Sequence, residues 1–357
     1  MSAFSIHHTI ALALSGGIDS AYAGWILKQE GFEIIGVYLR LIEGDTMAHA
    51  RETAGILDIP LHILDLRDIF HNRIIEPFIN EYLSGRTPNP CVNCNAIIKC
   101  GILLDWARDR QIDRVATGHY ARIQRDPRTG SALLLRGADR RKDQSYFLYR
   151  LSQGQLEGML FPLGTWKKRD VEKEAERLGL WTQKREESQE ICFLSSRDYR
   201  CFLEKITTHA LGPGPVCDRL GKVMGSHSGI FRYTIGQRKG LQLSEQGPHY
   251  VLSLDPKRNL IVVGAEEDLW QAEMTVEGIH RIAGPWPQRV LAQIRSTQPP
   301  QEATLKEIGE GRVRVVFERP VRAITPGQSA VFYDEEVCLG GGIITTGSQY
   351  PEGGSGY

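Results

Sequence analysis

The stretch that most restricts how this chain can fold lies near its start. Thr9-Ile-Ala-Leu-Ala-Leu14 is an apolar run of strand length, and Ser15-Gly-Gly-Ile-Asp-Ser20 follows it directly. A helix-like segment begins at once afterwards. Two adjacent glycines let the backbone turn sharply and approach a ligand closely. The unpaired N–H groups at the new helix's start then favour an anion. Ser15 and Ser20 add hydroxyl donors. Asp19 is foreign to a plain phosphate cradle, but it fits one in which Mg2+ lies between the carboxylate and the phosphates. No Gly-x-x-x-x-Gly-Lys-Ser/Thr string occurs, so this is not a Walker A loop. Without any ligand, the same residues would make a strand–turn–helix with Asp19 well placed near a helix N-terminus.

The pattern continues as an alternation. Glu33–Leu39 reads as a second strand, Ala48–Leu57 as a helix, Leu61–Asp65 as a third strand and Asp68–Leu83 as a helix. Such alternation implies an α/β domain with a parallel sheet covered by helices on both faces. Ligands bind beyond the carboxyl ends of these strands, where Ser15–Ser20 lies. Arg114–Thr117 is a further strand, running into Thr117-Gly-His-Tyr120. Gly85–Asn95 reads as a loop, because Pro88 and Pro90 oppose a regular helix. Ile123–Arg125 and Leu133–Arg136 read as a hairpin, and Lys167–Leu178 and Asp198–Lys205 as helices.

Gly212-Pro-Gly-Pro215 ends the α/β pattern. His249–Leu254 and Leu260–Val263 form a second predicted hairpin, and the chain is β-rich from about Gln271. The expected domains are 1–208, catalytic α/β; 209–268, a small mixed β unit; 269–346, a β-barrel, for which propensity alone also allows a sandwich; and 347–357, a Gly- and Ser-rich tail.

Lys plus Arg equals Asp plus Glu, 43 each, which argues against a general nucleic-acid coating protein but not against one basic face. Arg136, Arg140, Arg141 and Lys142, and separately Tyr233, Arg238 and Lys239, are the candidates for such a face. No apolar run reaches membrane-span length, and Met1–His8 lacks the basic flank of a secretory signal, so a cytoplasmic location is expected. Seven cysteines in that compartment are not disulfide staples, and their spacing calls for a chemical reading.

Ser15–Ser20 resembles the PP-loop of ATP pyrophosphatases, which cleave ATP between its α and β phosphates and pass AMP to a substrate oxygen. Further strings narrow the resemblance: Thr87-Pro-Asn-Pro-Cys-Val-Asn-Cys-Asn95 with Ile98-Lys99, Thr117–Tyr120, Lys142-Asp-Gln-Ser-Tyr146, Ser188-Gln-Glu-Ile-Cys192, Tyr233–Leu241 and Arg322-Ala-Ile-Thr-Pro-Gly-Gln328. Together they resemble the tRNA-specific 2-thiouridylase family, MnmA, from Ser15 to Gln328.

The resemblance implies that ATP adenylates O2 of a wobble uridine in tRNA, that a sulfur nucleophile attacks C2, and that AMP leaves. The base must leave its stack to be reached. By resemblance, Ala13, Leu14, Ser15, Gly16, Gly17, Ile18, Asp19 and Ser20 hold ATP and its Mg2+. Leu39 lines the adenine pocket and Gly118 touches the nucleotide. Asn89, Pro90, Cys91, His119, Lys142, Asp143, Gln144, Arg322, Ala323 and Gln328 face tRNA. Cys94 and Cys192 carry the sulfur chemistry, supplied by a cysteine desulfurase, a sulfur-relay protein or inorganic sulfide.

Many members of this family have Asp where this chain has Cys91. Three cysteines, Cys91, Cys94 and Cys192, suggest a [4Fe–4S] cluster with one iron left open, since soft thiolates favour such a centre. Zinc would want a fourth protein ligand, and the nearest spare thiols are Cys100 and Cys201. Persulfide and disulfide chemistry on Cys94 and Cys192 is the alternative. Cys217 and Cys338 read as buried structural thiols. The short Arg40–Thr46 link stands where relatives often carry an insertion. Two other classes of function remain at this point: a PP-loop ligase for a small metabolite, and a non-enzymatic iron–sulfur protein that binds tRNA.

Overall fold

The computed structural model describes residues 9–44, 47–180, 191–194, 198–206, 212–241, 243, 247–282 and 284–347. Met1–His8, Ser188–Glu190, the end of the Arg40–Thr46 link and the tail beyond Gly347 lie outside them.

Five parallel strands form the first sheet: β1 (Thr9–Ala13), β2 (Glu33–Arg40), β3 (Leu61–Asp65), β4 (Arg114–Ala116) and, after a hairpin of β5 (Ala121–Arg125) and β6 (Ala132–Arg136), β7 (Met159–Leu160). Their order is β3-β2-β1-β4-β7. Ile10, Ala11 and Leu12 of β1 are all fully buried, as a central strand covered on both faces requires. The order reverses at β1, so a crevice opens between the carboxyl ends of β1 and β4. Helix α1 (Ile18–Gln29) begins in that crevice, and helix α2 (Met47–Leu57) follows β2.

The segment read as a loop between Gly85 and Asn95 is corrected by the structure. Pro90–Cys94 is helical, with Pro90 at its start, and continues as a wide π-turn over Asn95–Ile102. Proline has no N–H to lose at the first helical position, so it starts this helix rather than breaking it. The widened turn has a visible partner: Gln155 Nε2 donates to the Ala96 carbonyl at 2.7 Å. Gly101 is the residue that fits, since a Cβ there would lie 2.8 Å from that carbonyl oxygen.

The middle of the chain forms a four-stranded sheet from β8 (Gly214–Cys217), β9 (Val223–His227), β10 (Tyr250–Asp255) and β11 (Leu260–Gly264), ordered β10-β11-β8-β9. The last strands are β12 (Trp270–Arg281), β13 (Arg289–Gln293), β14 (Gln301–Glu307), β15 (Val313–Arg322), β16 (Ser329–Asp334) and β17 (Val337–Gly347). Pairing of β12 with both β15 and β17 closes them into an antiparallel barrel, which decides against a sandwich. The hairpin β5 (Ala121–Arg125) and β6 (Ala132–Arg136) extends the barrel's sheet rather than the parallel one: Cys338 pairs with Leu134. One hydrophobic cluster therefore runs from Ala11 and Val37 through Leu134 and Tyr149 to Val331 and Tyr333. This shared core fixes the barrel on the α/β domain.

Candidate active site

The loop after β1 is organised by its own groups. Ser20 Oγ donates to the Gly17 carbonyl at 2.9 Å and lies 3.3 Å from Ser15 Oγ. Gly17 is the N-cap of α1 and brings no side-chain acceptor, so the first N–H groups of the helix point into the crevice uncapped. Gly16 has φ +80°, and a Cβ there would lie 2.6 Å from the backbone of His49 in α2. Glycine is demanded twice, by conformation and by space. Gly118, after β4, packs as closely: its Cβ would fall 2.9 Å from the Asp19 carbonyl carbon and 3.0 Å from Ser20 N.

Asp19 is engaged from two sides. Tyr120 Oη donates to its Oδ1 at 2.7 Å, and Lys168 Nζ donates to the same oxygen at 2.8 Å. The Lys168 side chain is 6% exposed and that of Asp19 35%, so the carboxylate stands at the mouth with the ammonium behind it. The Lys168 backbone N–H is held by Asp139 Oδ2 at 3.0 Å. Leu39, at the carboxyl end of β2, is partly buried among apolar neighbours.

Two of the thiols, Cys91 and Cys94, are carried by the helix Pro90–Cys94. Cys94 is buried, Cys91 half-buried and Cys192 exposed. Burial pushes the Cys94 thiol up to about 12 and raises Cys91, and desolvation of its sulfur raises Cys192 although the residue as a whole is exposed, while the Lys99 ammonium pulls all three back down. Lys99 follows Cys94 by one π-turn. Burial disfavours its charge, but Cys94, Cys91, Cys192 and Cys100 together outweigh that and hold its pKa above the usual value. His119 is buried, and burial first, then the Lys99 charge, pushes its pKa down to about 3. The ring is neutral at physiological pH, with Nδ1 2.7 Å from Thr117 Oγ1. Lys99 thus touches, through its field, both the thiols and the strand end that packs against Asp19.

Among the described residues, no three His, Cys, Asp or Glu side chains stand close enough to hold one metal ion. The three-cysteine ligand set anticipated from sequence is therefore gathered in one electrostatic neighbourhood but not assembled at metal spacing, and Cys192 is exposed. Cys100 is fully buried and its thiol is pushed up to about 12 by burial; Cys201 is exposed. Cys217 and Cys338 are buried, as read.

Several residues expected to face tRNA use their side chains within the protein. Asp143 accepts from Arg136 Nε at 2.8 Å and from the backbone N–H groups of Gly137 and Ser145. Gln144 Oε1 accepts from Tyr120 N at 2.9 Å. Gln328 Nε2 donates to the Thr87 carbonyl at 2.8 Å, tying the barrel to the loop before the cysteines. Ala323 is buried with φ +58°, and the Arg322 guanidinium lies 5.4 Å from the Tyr250 ring centroid. Asn89 and Pro90 form the start of the cysteine-bearing helix.

One reading of the basic face is corrected, and two of its charges are shared within the protein. Arg136 pairs with Asp143, and Arg140 with Glu336, so neither charge is uncommitted. Tyr233 is buried in the core of the middle domain, while Arg238 and Lys239 are exposed. Sequence reasoning did not assign Tyr120, Lys99 or Lys168 a role, although the first two lie inside the matched strings.

Comparison with known proteins agrees over most of the chain. Residues 8–196 match the family model described as the tRNA methyl transferase HUP domain, 200–265 the tRNA methyl transferase PRC-barrel domain, and 272–344 the aminomethyltransferase β-barrel domain. The chain is 44% identical to "tRNA-specific 2-thiouridylase MnmA 2" of Thermoanaerobacter sp. (strain X514), covering 95% of this chain and 98% of that one. It is 44% identical to "tRNA-specific 2-thiouridylase MnmA" of Moorella thermoacetica, covering 95% and 99%, and 39% identical to the protein of that name from Clostridioides difficile, covering 94% and 97%.

Proposed function

This chain belongs to the tRNA-specific 2-thiouridylase family, MnmA, and we propose that it converts a wobble uridine of tRNA to 2-thiouridine by way of an O2-adenylated intermediate. It is a tRNA sulfurtransferase that uses ATP through its PP-loop. The observation that carries the finer reading is the position of Lys99, in electrostatic contact with the thiols on one side and His119 on the other. Gly118, next to His119, packs on Asp19 of the nucleotide loop. Activation and sulfur delivery then share one mouth.

The residues act in sequence. The Ser15–Ser20 loop and the open start of α1 bind phosphates, and Asp19 offers a carboxylate to Mg2+. Oxygen on C2 of uracil is a poor leaving group, and adenylation makes it leave as AMP. Neutral His119 cannot repel the Lys99 charge and can hydrogen-bond the extruded base. Lys99 stabilises negative charge on sulfur as it approaches C2.

For the sulfur carrier we propose Cys91, Cys94 and Cys192 as the ligands of a [4Fe–4S] cluster. Their thiolate chemistry fits it, and closure of Cys192 onto the other two is required. When bound, the cluster would supply an open iron at which sulfide is presented. The exposure of Cys192 favours a second reading, in which it accepts a persulfide sulfur directly from a donor and Cys94 releases it by forming a disulfide.

One anaerobic assay tests all of this: pyrophosphate release, mass analysis of digested tRNA and iron counting on the same preparation. The expected result is tRNA-dependent pyrophosphate, a 2-thiouridine product and about four iron per chain. Iron-free protein that thiolates tRNA from a persulfide donor, and does so with Cys91→Ala, would defeat the cluster and leave the second reading. Pyrophosphate release that ignores tRNA would defeat the thiolation route itself.

A further inference from the structure

The nucleotide loop poses a charge problem. ATP brings several negative charges, yet Ser15–Ser20 contains no cation, and its one charged side chain is the Asp19 carboxylate. The start of α1 supplies only about half a positive charge. A lysine does enter the loop, but from far along the chain. Lys168 begins the helix Lys168–Arg177, where the helix dipole opposes a cation, and it is buried, which costs more. A cation held against both effects needs an anion. Asp19 is that anion in the free protein, at 2.8 Å.

Asp19 also receives the Tyr120 hydroxyl on the same oxygen, Oδ1. Its charge would be shared further once a divalent cation is bound, which weakens its hold on the ammonium behind it. Resting on the ATP-dependent reading above, we propose that Lys168 is the phosphate-binding cation of this site, stored against Asp19 in the free protein and passed to the β- and γ-phosphates when nucleotide and Mg2+ enter. The same contact then stabilises pyrophosphate as it leaves. Lys168 forms no covalent bond in this scheme and neither gains nor loses a proton.

The test uses the full chain and equilibrium calorimetry with three probes: pyrophosphate, α,β-methylene-ATP and AMP, each with Mg2+. Lys168→Met should weaken pyrophosphate and the ATP analogue about 10- to 100-fold, the range of a charged hydrogen bond, and leave AMP within about twofold. Lys168→Arg should retain most of the affinity. Because Lys168→Met removes the cation from Asp19 and could harm folding, the decisive pair is Asp19→Asn against the double variant Asp19→Asn/Lys168→Met, in which both charges are gone. If Lys168 meets the phosphates, its loss weakens pyrophosphate again even where Asp19→Asn is already present. If it merely balances Asp19, that second loss vanishes and the inference falls while nucleotide binding by the wild type stands. A wild-type chain that binds neither pyrophosphate nor the analogue would overturn the nucleotide reading and this inference with it.

Discussion

The two halves of the proposed active-site mouth treat charge in different ways. On the nucleotide side, the exposed carboxylate of Asp19 is answered twice, by Lys168 and by Tyr120. On the sulfur side, Lys99 is set among thiols: they hold its pKa above the usual value, and its charge pulls theirs back down against burial. The first half is balanced in the free protein, and by our proposal Mg2+ and ATP would exchange its partners. The second, by our proposal, is a half-buried cation set beside thiols, which a thiolate, a persulfide or a sulfide-bearing centre would engage. A site balanced in advance binds a substrate that arrives with its own charges. A cation set beside thiols eases loss of the proton from sulfur when the sulfur is needed.

Lys99→Met tests that contrast with the largest expected effect. Formation of 2-thiouridine should fall about 100- to 1,000-fold, as when a single preorganised donor is removed from a transition state. First-turnover pyrophosphate release should change only a few fold, because the nucleotide half keeps its own charges. Alkylation of the exposed Cys192 should slow at fixed pH, since the charge that lowers its pKa is gone. Equal losses in pyrophosphate release and thiolation would break the division between the halves.

Gly118→Ala probes the seam from the nucleotide side and should do less. The new Cβ would press on the backbone at Asp19 and Ser20, which cannot rotate away. Nucleotide affinity should drop about tenfold and stability by about 1–3 kcal/mol. Gly55→Ala is the control: it lies on α2 with open space around its Cβ, and should stabilise by about 0.5–1 kcal/mol. Calorimetric titration with the ATP analogue and a denaturant titration of both variants distinguish a specific seam from a general intolerance of larger residues.

The nucleotide half was legible because it is local. An apolar run, two glycines and a helix state a strand–turn–helix in a dozen residues, and the alternation that follows states the parallel sheet. The sulfur half was harder to read. Pro88 and Pro90 suggested a loop, yet a proline in the first turn of a helix offends nothing, and the rule about breakers had no sense of position. The long-range partners had no local signature. Nothing around Leu134 announces that its strand will pair with Cys338, and nothing in Gln328 that its amide will hold Thr87. Lys168 did leave a trace: Lys167 and Lys168 stand at a helix start, where acidic residues belong. A cation kept in a place that repels it has a partner elsewhere, and that rule would have flagged the residue.

The smallest expected effect is on stability, and it follows from the sign of the His119 shift. Folding lowers its pKa to about 3 from the ordinary value of about 6.5, by burial and by Lys99. Between those values the unfolded chain binds a proton that the folded chain refuses. Stability therefore falls as pH drops below 6.5, by at most roughly 1.4 kcal/mol per pH unit from this residue, until the folded pKa is reached. Denaturant titrations at pH 7, 6 and 5 should show the slope in the wild type and a shallower one in His119→Gln. Lys99→Met should leave the slope near pH 6 and end it at a higher pH, because a ring without a neighbouring cation protonates sooner. An identical endpoint in both proteins would mean that burial alone sets His119, and that the Lys99 charge does not reach across to the strand end beside the nucleotide loop.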